Sequence, residues 1–524
     1  MTEVTERIMD RQTKREFPEG HRETKVRLNR RSFLKAAGLG TASVAMSGCD
    51  TISRMISARR KPPNILFFFT DDQRFDTIGA LGNKNIITPN MDSLVSNGTT
   101  FTNAYIMGSM SGAVCVPSRA MLMSGRTLFH LEGIGEVIPA EHVTLPEVLQ
   151  KAGYTTFQTG KWHQDSKTFN RCFSGADKIF FGGMSNHYNV PVRDFDPTGE
   201  YPEEKIYRAG GKHSSELFSD AAIRFLRNYK DDKPFFIYIA YTAPHDPRHM
   251  PKKYLDMYEP EKIVLPKSFM PVHPFDNGEM KTRDEKLAAW PRTPEEVRKH
   301  KGAYYAMITH LDAQIGRVLA ALERTGHAEN SIIVFAGDNG LAVGRHGLMG
   351  KQNLYEHSVH VPLIISRPGI PKGQKRDAFC YLLDIYPTVC ELTGLSIPSS
   401  VEGQSLASVI RDGKQKVRDT LFFAYKDIQR GVRDERYKLI EYAVKAVSNS
   451  QKNDMKPKEE IPDEVKAKRT TQLFDLQSDP WEVNNIAESP NHVEDLKRLR
   501  REMLRWKEEL DDSSVFWQGW EGPV

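Results

Sequence analysis

The segment NILFFFTDDQ (residues 64–73) is a continuous apolar run that ends abruptly in two carboxylates, Asp71 and Asp72. Its apolar residues do not alternate with polar ones, which is typical of a strand buried on both faces of a sheet. Such strands occur in parallel sheets that helices cover on both sides. The segment therefore predicts a central strand of an α/β domain with acidic groups at its carboxyl end.

Two other segments have the same form. SIIVFAGDNG (331–340) ends in Asp338 and Asn339, and PFFIYIAYTAPHDP (234–247) ends near His245. In open, mostly parallel sheets, ligands bind outside the carboxyl ends of the strands. We therefore expect the polar groups at the ends of all three strands to lie along one edge of the sheet and to form a site there.

Amphipathic helical patterns separate the predicted strands. These patterns are TLPEVLQKAG (144–153), SDAAIRFLRNY (219–229) and YYAMITHLDAQIGRVLAALERTG (304–326). Buried strands that alternate with such helices predict an α/β fold, with a large, mostly parallel sheet flanked by helices on both faces.

The pattern changes near residue 400. Short strands and a final helix are predicted at VRDERYKLIEYAV (432–444), TTQLFDLQSDP (470–480) and HVEDLKRLRREMLRWKEEL (492–510). A polar insert rich in Lys and Glu, at about 446–470, predicts a loop. We therefore divide the chain into a main domain over residues 62–400 and a smaller C-terminal subdomain, with an antiparallel sheet, over residues 401–524.

The N-terminal segment predicts an export signal over residues 1–49, followed by a linker over residues 50–61. Arg30 and Arg31, followed by SFLK and a run of small residues, resemble the signal that the twin-arginine export machinery reads. The sequence MSGC that ends at Cys49 resembles a lipoprotein cleavage box. These features predict an exported bacterial protein that is periplasmic or membrane-anchored as a lipoprotein, and whether Cys49 carries a lipid stays open.

The net charge of +5 comes mostly from the N-terminus, because residues 1–35 contain ten Lys and Arg against six Asp and Glu. The rest of the chain is nearly neutral, which argues against nucleic acid as a partner. The five cysteines form no C-x-x-C pair, which argues against a cysteine-based zinc site. Disulfides among Cys172, Cys380 and Cys390 stay open, as does the oligomeric state.

The strand ends offer ligands for a metal ion. A single Asp after a strand commonly caps the next helix or turn. Asp71 with Asp72, and Asp338 with Asn339, form doublets on two separate buried strands, which favours a shared site. Their carboxylate and amide oxygens are hard ligands that suit Ca²⁺ or Mg²⁺ and not zinc.

A cysteine lies beside a predicted helix terminus in GAVCVPSRAMLMSGR (112–126). Pro117 can open a helix and Gly125 can close it, which places Cys115 at the helix N-terminus. Free backbone N–H groups and the helix dipole attract an anion at such a position. The segment therefore predicts a cysteine in an anion-binding environment.

Two further segments contain candidate cationic groups. In GYTTFQTGKWH, Lys161 and His163 follow a strand-like run, and in extended geometry their side chains would point the same way. His245 lies between Pro244 and Pro247, which rule out a helix. Lys351 follows a glycine-rich loop in HGLMGKQNLYEHS. None of these residues indicates a functional site by itself; they indicate one only in combination.

Taken together, these segments resemble the signature of the formylglycine-dependent sulfatases. CVPSR (115–119) followed by MLMSGR, TDDQ, GYTTFQTGKWH, the APH segment, GDNG, GKQNLYEHSVHVPLII and the late DLQSDPWEVNNIA all match the family, in the family's order. The matches extend from about residue 62 to residue 487 and cover most of the chain.

The resemblance implies an alkaline-phosphatase-like fold in a catalytic domain over residues 62–400, and hydrolysis of sulfate esters. In this family a maturation enzyme oxidises the cysteine that corresponds to Cys115 to formylglycine, whose hydrate attacks sulfur. A Ca²⁺ ion, with Mg²⁺ as the alternative, would be bound by Asp71, Asp72, Asp338, Asn339 and residue 115. Arg119 and His163 would orient and activate the nucleophile. Lys161, His245 and Lys351 would hold the sulfate, and His245 or Lys351 would protonate the leaving oxygen.

Three functions follow from the resemblance. The first is hydrolysis of a sulfated carbohydrate or of another small sulfate ester. The second is hydrolysis of a phosphodiester or phosphonate monoester, because some relatives use the same formylglycine. The third is glycan binding without catalysis on the same scaffold. The single predicted metal site and the export signal favour a sulfatase, and the sequence does not identify the sugar or the sulfate position.

Overall fold

The computed structural model describes residues 61–443, 470–520 and 522. The predicted export signal with Cys49, nearly all of the predicted linker and nearly all of the polar insert lie outside these residues.

The described strands form one large sheet, one smaller sheet and two short pairs. They are β1 (Asn64–Thr70), β2 (Thr99–Phe101), β3 (Ala104–Tyr105), β4 (Gly108–Ser109), β5 (Thr155–Lys161), β6 (Gly175–Phe180), β7 (Pro191–Val192), β8 (Tyr207–Arg208), β9 (Phe235–Ala240), β10 (Ser331–Gly337), β11 (Leu363–Ser366), β12 (Gln374–Arg376), β13 (Cys380–Tyr381), β14 (Leu421–Tyr425), β15 (Gln429–Arg433), β16 (Tyr437–Tyr442) and β17 (Thr470–Asp475).

The described α-helices range from one turn to 31 residues. They are α1 (Pro89–Asn97), α2 (Cys115–Ser124), α3 (Leu145–Lys151), α4 (Ser166–Cys172), α5 (Ser214–Asn228), α6 (Lys252–Leu255), α7 (Pro294–Arg324), α8 (Glu356–Val359), α9 (Ile385–Thr393), α10 (Ala407–Arg411) and α11 (Val493–Glu509). None of the helices in the described ranges is long and apolar enough to cross a membrane.

The large sheet has eight strands in the order β12-β2-β11-β10-β1-β9-β5-β6. The five strands from β10 to β6 are parallel, whereas β11 runs antiparallel to both of its neighbours. Alternate residues of β1 pack on opposite faces: Ile65, Phe67 and Phe69 belong to one hydrophobic cluster, and Leu66 and Phe68 to another. Both faces are therefore buried, which explains why the β1 segment has no polar alternation. The predicted fold class is confirmed.

The predicted helices are present, but α5 and α7 begin earlier than their sequence patterns, which start at residues 219 and 304. The first turns of α7 are polar, so its apolar period does not mark them, and the Thr293 hydroxyl caps the helix by accepting from the Glu296 N–H at 3.2 Å. Helix α2 begins at Cys115 and ends at Gly125, whose left-handed conformation (φ 68°) terminates it. Pro117 is tolerated there because the first helical N–H groups need no intrahelical partner.

The smaller sheet has the order β17-β16-β15-β14-β4. Strands β14 to β17 are antiparallel, as expected for the C-terminal subdomain. Strand β4, however, comes from the chain just before α2 and pairs in parallel with β14 through Gly108 and Ala424. The segment that leads to Cys115 is therefore hydrogen-bonded to the C-terminal sheet.

A buried charge network also joins the smaller sheet to the main domain. Glu356 of α8 accepts from Arg433 of β15 at 2.9 Å and from Lys438 of β16 at 3.0 Å. The Tyr105 hydroxyl donates to the same carboxylate at 2.7 Å. Buried charges remain stable only when they are paired in this way. The network therefore holds both parts of the fold in one position near the carboxyl edge of the large sheet.

Candidate active site

Four neighbouring parallel strands end at the same edge of the large sheet. Thr70 of β1 pairs with Gly337 of β10, Phe69 with Ala240 of β9, and Ala240 in turn with Gly160 of β5. The polar groups that follow these strands are consequently neighbours in space: Asp71, Asp72, Asp338, Asn339, His245 and Lys161.

The acidic residues form one buried cluster. The Asp72 backbone N–H donates to Asp338 Oδ1 at 3.0 Å, and Asn339 Nδ2 donates to Asp72 Oδ1 at 2.7 Å. Ligand atoms of Asp71, Cys115 and Asp338 all lie within 4.8 Å of one another. Asp72 adopts φ 66°, a conformation that Asp tolerates better than most residues and that turns its side chain into the cluster. The structure thus brings all the predicted metal ligands together.

The cluster retains oxygen atoms that are available to a cation. Asp71 Oδ1, Asp72 Oδ2 and Asn339 Oδ1 are buried and accept no hydrogen bond from the part of the chain that the structure describes. Leaving such oxygens unpaired costs about 1–3 kcal/mol each. Three buried, unpartnered hard oxygens from neighbouring residues fit the coordination chemistry of Ca²⁺ or Mg²⁺.

Each carboxylate of the cluster also has its own cationic partner. Asp71 Oδ2 lies 2.6 Å from Lys161 Nζ, Asp72 Oδ1 lies 2.5 Å from Lys351 Nζ, and Asp338 Oδ2 lies 2.8 Å from Arg119 Nη2, in pairs that are almost fully buried. Burial raises the pKa of Asp71, but Lys161, His245, Arg119 and Lys351 together outweigh burial and hold that pKa well below its usual range. Burial together with the neighbouring Asp71 raises the pKa of Asp338 to about 6.

Cys115 lies in the first turn of α2 and faces this cluster. Its Sγ lies 3.3 Å from His163 Nδ1 and 3.4 Å from Lys161 Nζ. Burial raises the pKa of the Cys115 thiol even though Lys161 and Lys351 oppose the rise. A thiol with a raised pKa is a poor nucleophile, because the thiolate is the reactive form. The environment therefore does not activate Cys115 as a thiol.

The expected extended geometry holds at Lys161 but not at His163, although both side chains contact Cys115 Sγ. Strand β5 ends at Lys161, and His163 adopts φ 68°, which belongs to a turn and not to a strand. The turn brings the imidazole against Gly183, where a Cβ atom would lie 2.6 Å from His163 Nε2. Burial and then Lys161 lower the pKa of His163 to about 2, which leaves the imidazole neutral.

Arg119 lies one turn after Cys115 on α2. Its guanidinium binds Asp338 through Nε at 3.1 Å and Nη2 at 2.8 Å, and Nη1 donates to the Lys161 carbonyl at 3.2 Å. The neighbouring Ser118 hydroxyl donates to the Asp338 carbonyl at 2.6 Å. Arg119 and Ser118 thus attach the helix that bears Cys115 to the strand end that bears Asp338.

His245 is fixed from two sides by groups that the sequence patterns did not single out. Its Nδ1 lies 2.8 Å from the Asp246 carbonyl and 3.3 Å from Asp246 Oδ1, while its carbonyl lies 2.9 Å from His187 Nε2. Arg283 in turn holds Asp246 Oδ1 at 3.1 Å. Two acceptors at Nδ1 require a proton there, which leaves Nε2 directed at Asp72 Oδ2, 3.7 Å away. The role of Asp246 could have been suspected from the sequence, because Asp246 directly follows His245.

The described cysteines are all free thiols, which answers the open question of disulfides for this part of the chain. They are Cys115, Cys172, Cys380 and Cys390, and each is buried.

The mixed sheet flanked by helices, with a buried carboxylate cluster beside Cys115 at its carboxyl edge, has the alkaline-phosphatase-like fold. The model of the sulfatase family matches residues 63–395, more than half of the chain. A second model, for the C-terminal region of N-sulphoglucosamine sulphohydrolase, matches residues 344–470. The chain therefore belongs to the sulfatase family, and the protein is a sulfuric ester hydrolase.

Individual relatives agree with this family. An N-acetylglucosamine-6-O-sulfatase from Bacteroides thetaiotaomicron is 27% identical and covers 91% of both chains. An ulvan-active sulfatase from Formosa agariphila is 31% identical and covers 71% of this chain and 70% of its own. The fold resembles a solved structure in complex with its substrate D-glucosamine-2-N,6-O-disulfate, with a TM-score of 0.69 and 22% identity over 88% of this chain and 100% of the other.

Proposed function

We propose that this enzyme hydrolyses a sulfate ester of a carbohydrate and releases inorganic sulfate, with formylglycine derived from Cys115 as the nucleophile and one bound Ca²⁺ ion. The observation that carries the proposal is the group of unpartnered oxygens from Asp71, Asp72 and Asn339 beside Cys115. Mg²⁺ is the alternative ion, because the same hard oxygens suit it.

The bound cation would stabilise the deprotonated hydroxyl of the mature residue 115. Asp71, Asp72, Asp338 and Asn339 would hold the cation, and the maturation enzyme would recognise the sequence that begins at Cys115. Arg119 would hold Asp338 next to α2, because its Nε and Nη2 both donate to Asp338 Oδ2.

The remaining side chains would handle protons and the charge of the sulfate. Lys161 and Lys351 would hold the sulfate oxygens, where fixed positive charge stabilises the transition state. His163, which is neutral and lies 3.3 Å from the Cys115 side chain, would accept the proton that is lost when sulfate is released. His245, in its imidazolium form with the Nδ1 proton held by Asp246, would donate its second proton from Nε2 to the leaving oxygen.

The printed functions of two relatives support a sulfated sugar as the substrate, since one acts on N-acetylglucosamine 6-O-sulfate and the other on ulvan. The export signal predicted around Arg30 and Arg31 supports a location outside the cytoplasm, either periplasmic or anchored through Cys49. Such a location would give the enzyme access to external sulfated glycans.

The enzyme is expected to hydrolyse sulfate esters faster than phosphodiesters. A matured preparation with Ca²⁺ would be compared on an O-sulfated N-acetylglucosamine, nitrophenyl sulfate and bis-nitrophenyl phosphate under identical conditions. Higher kcat/KM for the phosphodiester would replace the proposal with a phosphodiesterase or phosphonate monoester hydrolase. Binding of the sugar without turnover of any of the three would instead favour a non-catalytic glycan-binding protein.

Asp246→Asn is expected to slow hydrolysis of sugar sulfates by about 10²-fold and of nitrophenyl sulfate by much less. Asp246 holds the protonated face of His245, and only a poorly leaving sugar alcohol needs a proton from that imidazole. Steady-state kinetics on both substrates would measure the difference.

Asp512→Asn is the matched control, because Asp512 is also a buried carboxylate paired with an arginine, Arg430, but forms no hydrogen bond or ion pair with His245 in the described structure. An equal loss of rate on both substrates in the Asp246 variant would contradict a role for Asp246 in proton donation.

A further inference from the structure

A basic cleft lies between helices α5 and α7, outside the candidate active site. Its volume is about 740 Å³, and four arginines line it: Arg224 and Arg227 from α5, and Arg317 and Arg324 from α7. Asp220 is the acidic residue of the lining. The cleft therefore has a local excess of positive charge on a chain whose overall charge is close to neutral beyond residue 35.

The floor of the cleft consists of small side chains of α7. Ala313, Gly316 and Ala320 follow one another at helical spacing and face the cleft. Gly316 has a specific packing reason, because a Cβ atom there would lie 2.2 Å from Asn90 Oδ1. The two helices pack side by side, and these small residues of α7 leave space beside Ile223 of α5.

The arginines differ in how far their charge is already neutralised. Arg224 pairs with Asp177, and Arg317 lies 2.5 Å from Asp220. Arg227 and Arg324 are exposed and form no ion pair with any described residue. Each of these two lies in the last turn of its helix, where a cation interacts favourably with the helix dipole. The interaction with the helix dipole explains one cation in the last turn of each helix. It does not explain Arg224 and Arg317, which also line the cleft.

The cleft is connected to the candidate active site through α7. The Tyr304 hydroxyl of α7 donates to the Asp72 carbonyl at 2.5 Å, which places this part of the helix at the catalytic edge. At 1.5 Å per residue, Arg317 lies about 20 Å and Arg324 about 30 Å further along the helix. A ligand that reached both places would have to be a chain and not a single sugar.

We propose that the cleft between α5 and α7 binds a sulfated polysaccharide chain at a site separate from the catalytic one. Guanidinium groups form bidentate hydrogen bonds with planar and tetrahedral oxyanions, and Arg227 and Arg324 are free to form them. A chain with a sulfate on successive units would meet two arginines on each of the two helices that line the cleft. The inference deepens the proposed function, on which it rests, by naming a polymer as the substrate class.

The test measures binding of dextran sulfate to the full chain, with unsulfated dextran as the backbone control. The double variant Arg227→Ala/Arg324→Ala is expected to bind dextran sulfate about tenfold more weakly at low salt. Nitrophenyl sulfate turnover is expected to stay unchanged, because neither residue belongs to the catalytic machinery. The KM for a sulfated polymer should rise, whereas the KM for a sulfated monosaccharide should not.

Arg501→Ala/Lys372→Ala is the control variant, since it removes the same two charges from exposed positions outside the cleft. Dextran sulfate binding that is equal in the cleft variant, the control variant and the unchanged protein would overturn the proposal. Competition by inorganic sulfate at equal sulfate concentration would also overturn it in favour of a single-anion site. Arginine-dependent binding to vesicles of anionic phospholipid, without arginine-dependent binding to dextran sulfate, would assign the cleft to a membrane surface.

The two proposals fail in different ways in this experiment. If the unchanged protein turns over no sulfate ester, the proposed function fails, while dextran sulfate binding still reports on the cleft. If nitrophenyl sulfate turnover is normal and binding does not depend on Arg227 and Arg324, the cleft proposal fails alone.

Discussion

Cys115→Ala is expected to lower kcat for sulfate esters by at least about 10³-fold, because removal of a nucleophile costs an enzyme this much or more. The Cys115 side chain lies in contact with His163 and Lys161 and within reach of the carboxylate cluster. An alanine retains the helix and the cluster but provides no oxygen for attack on sulfur. Turnover of nitrophenyl sulfate by matured preparations of both proteins would measure the loss.

Cys172→Ala is the matched control for Cys115→Ala. Cys172 is also a buried free thiol, but its contact is with Thr144 and not with the cluster. Its replacement should leave kcat unchanged. Mass spectrometry of the peptide around residue 115 would show directly whether an aldehyde replaces the thiol. An active enzyme with an unmodified Cys115 thiol would contradict the proposed nucleophile.

The central strands could be predicted because burial on both faces leaves a direct trace in the sequence. β1, β9 and β10 each required an apolar residue at nearly every position, and their polar ends then followed from the rule for parallel sheets. The antiparallel β11 could not be distinguished in this way. Strand direction depends on backbone hydrogen bonds with distant neighbours, and those bonds leave no side-chain pattern.

Short strands and the backbone conformations of single residues could not be predicted from the sequence patterns. Strand β4 has only two residues, and its pairing with β14 joins segments that are separated by more than three hundred residues. His163 reaches Cys115 through a left-handed turn, which is a tertiary consequence and not a local preference. Asp246 was missed because its role depends on the side-chain directions of two adjacent residues between prolines.

The charge balance of the candidate site explains why it would bind a cation and an anion together. Asp71, Asp72 and Asp338 are each neutralised by one cation, Lys161, Lys351 or Arg119. A divalent cation therefore adds two positive charges to a buried site that is already neutral, which is unfavourable at low dielectric. An anionic sulfate ester offsets this excess, so the cation and the ester should each raise the affinity for the other.

Lys351→Met is therefore expected to change Ca²⁺ affinity and catalysis in opposite directions. Loss of the ammonium 2.5 Å from Asp72 removes the cation nearest to this carboxylate, so Ca²⁺ should bind about tenfold more tightly. The same loss removes a positive charge that would hold the sulfate, so kcat/KM should fall by about 10²-fold or more. Calorimetric titration with Ca²⁺, the Ca²⁺-dependent rise in Tm and steady-state kinetics would measure these effects.

Lys301→Met separates this argument from a general effect of losing a buried lysine. Lys301 is also buried, but its ammonium donates to the Val264 carbonyl at 2.7 Å and forms no ion pair with the cluster in the described structure. Its replacement should leave Ca²⁺ affinity unchanged. Weaker Ca²⁺ binding by Lys351→Met would mean that the lysine supports the cation site instead of competing with it. Ca²⁺ would then not need the substrate anion to stay bound, because that dependence requires Lys351 and Ca²⁺ to compete for Asp72.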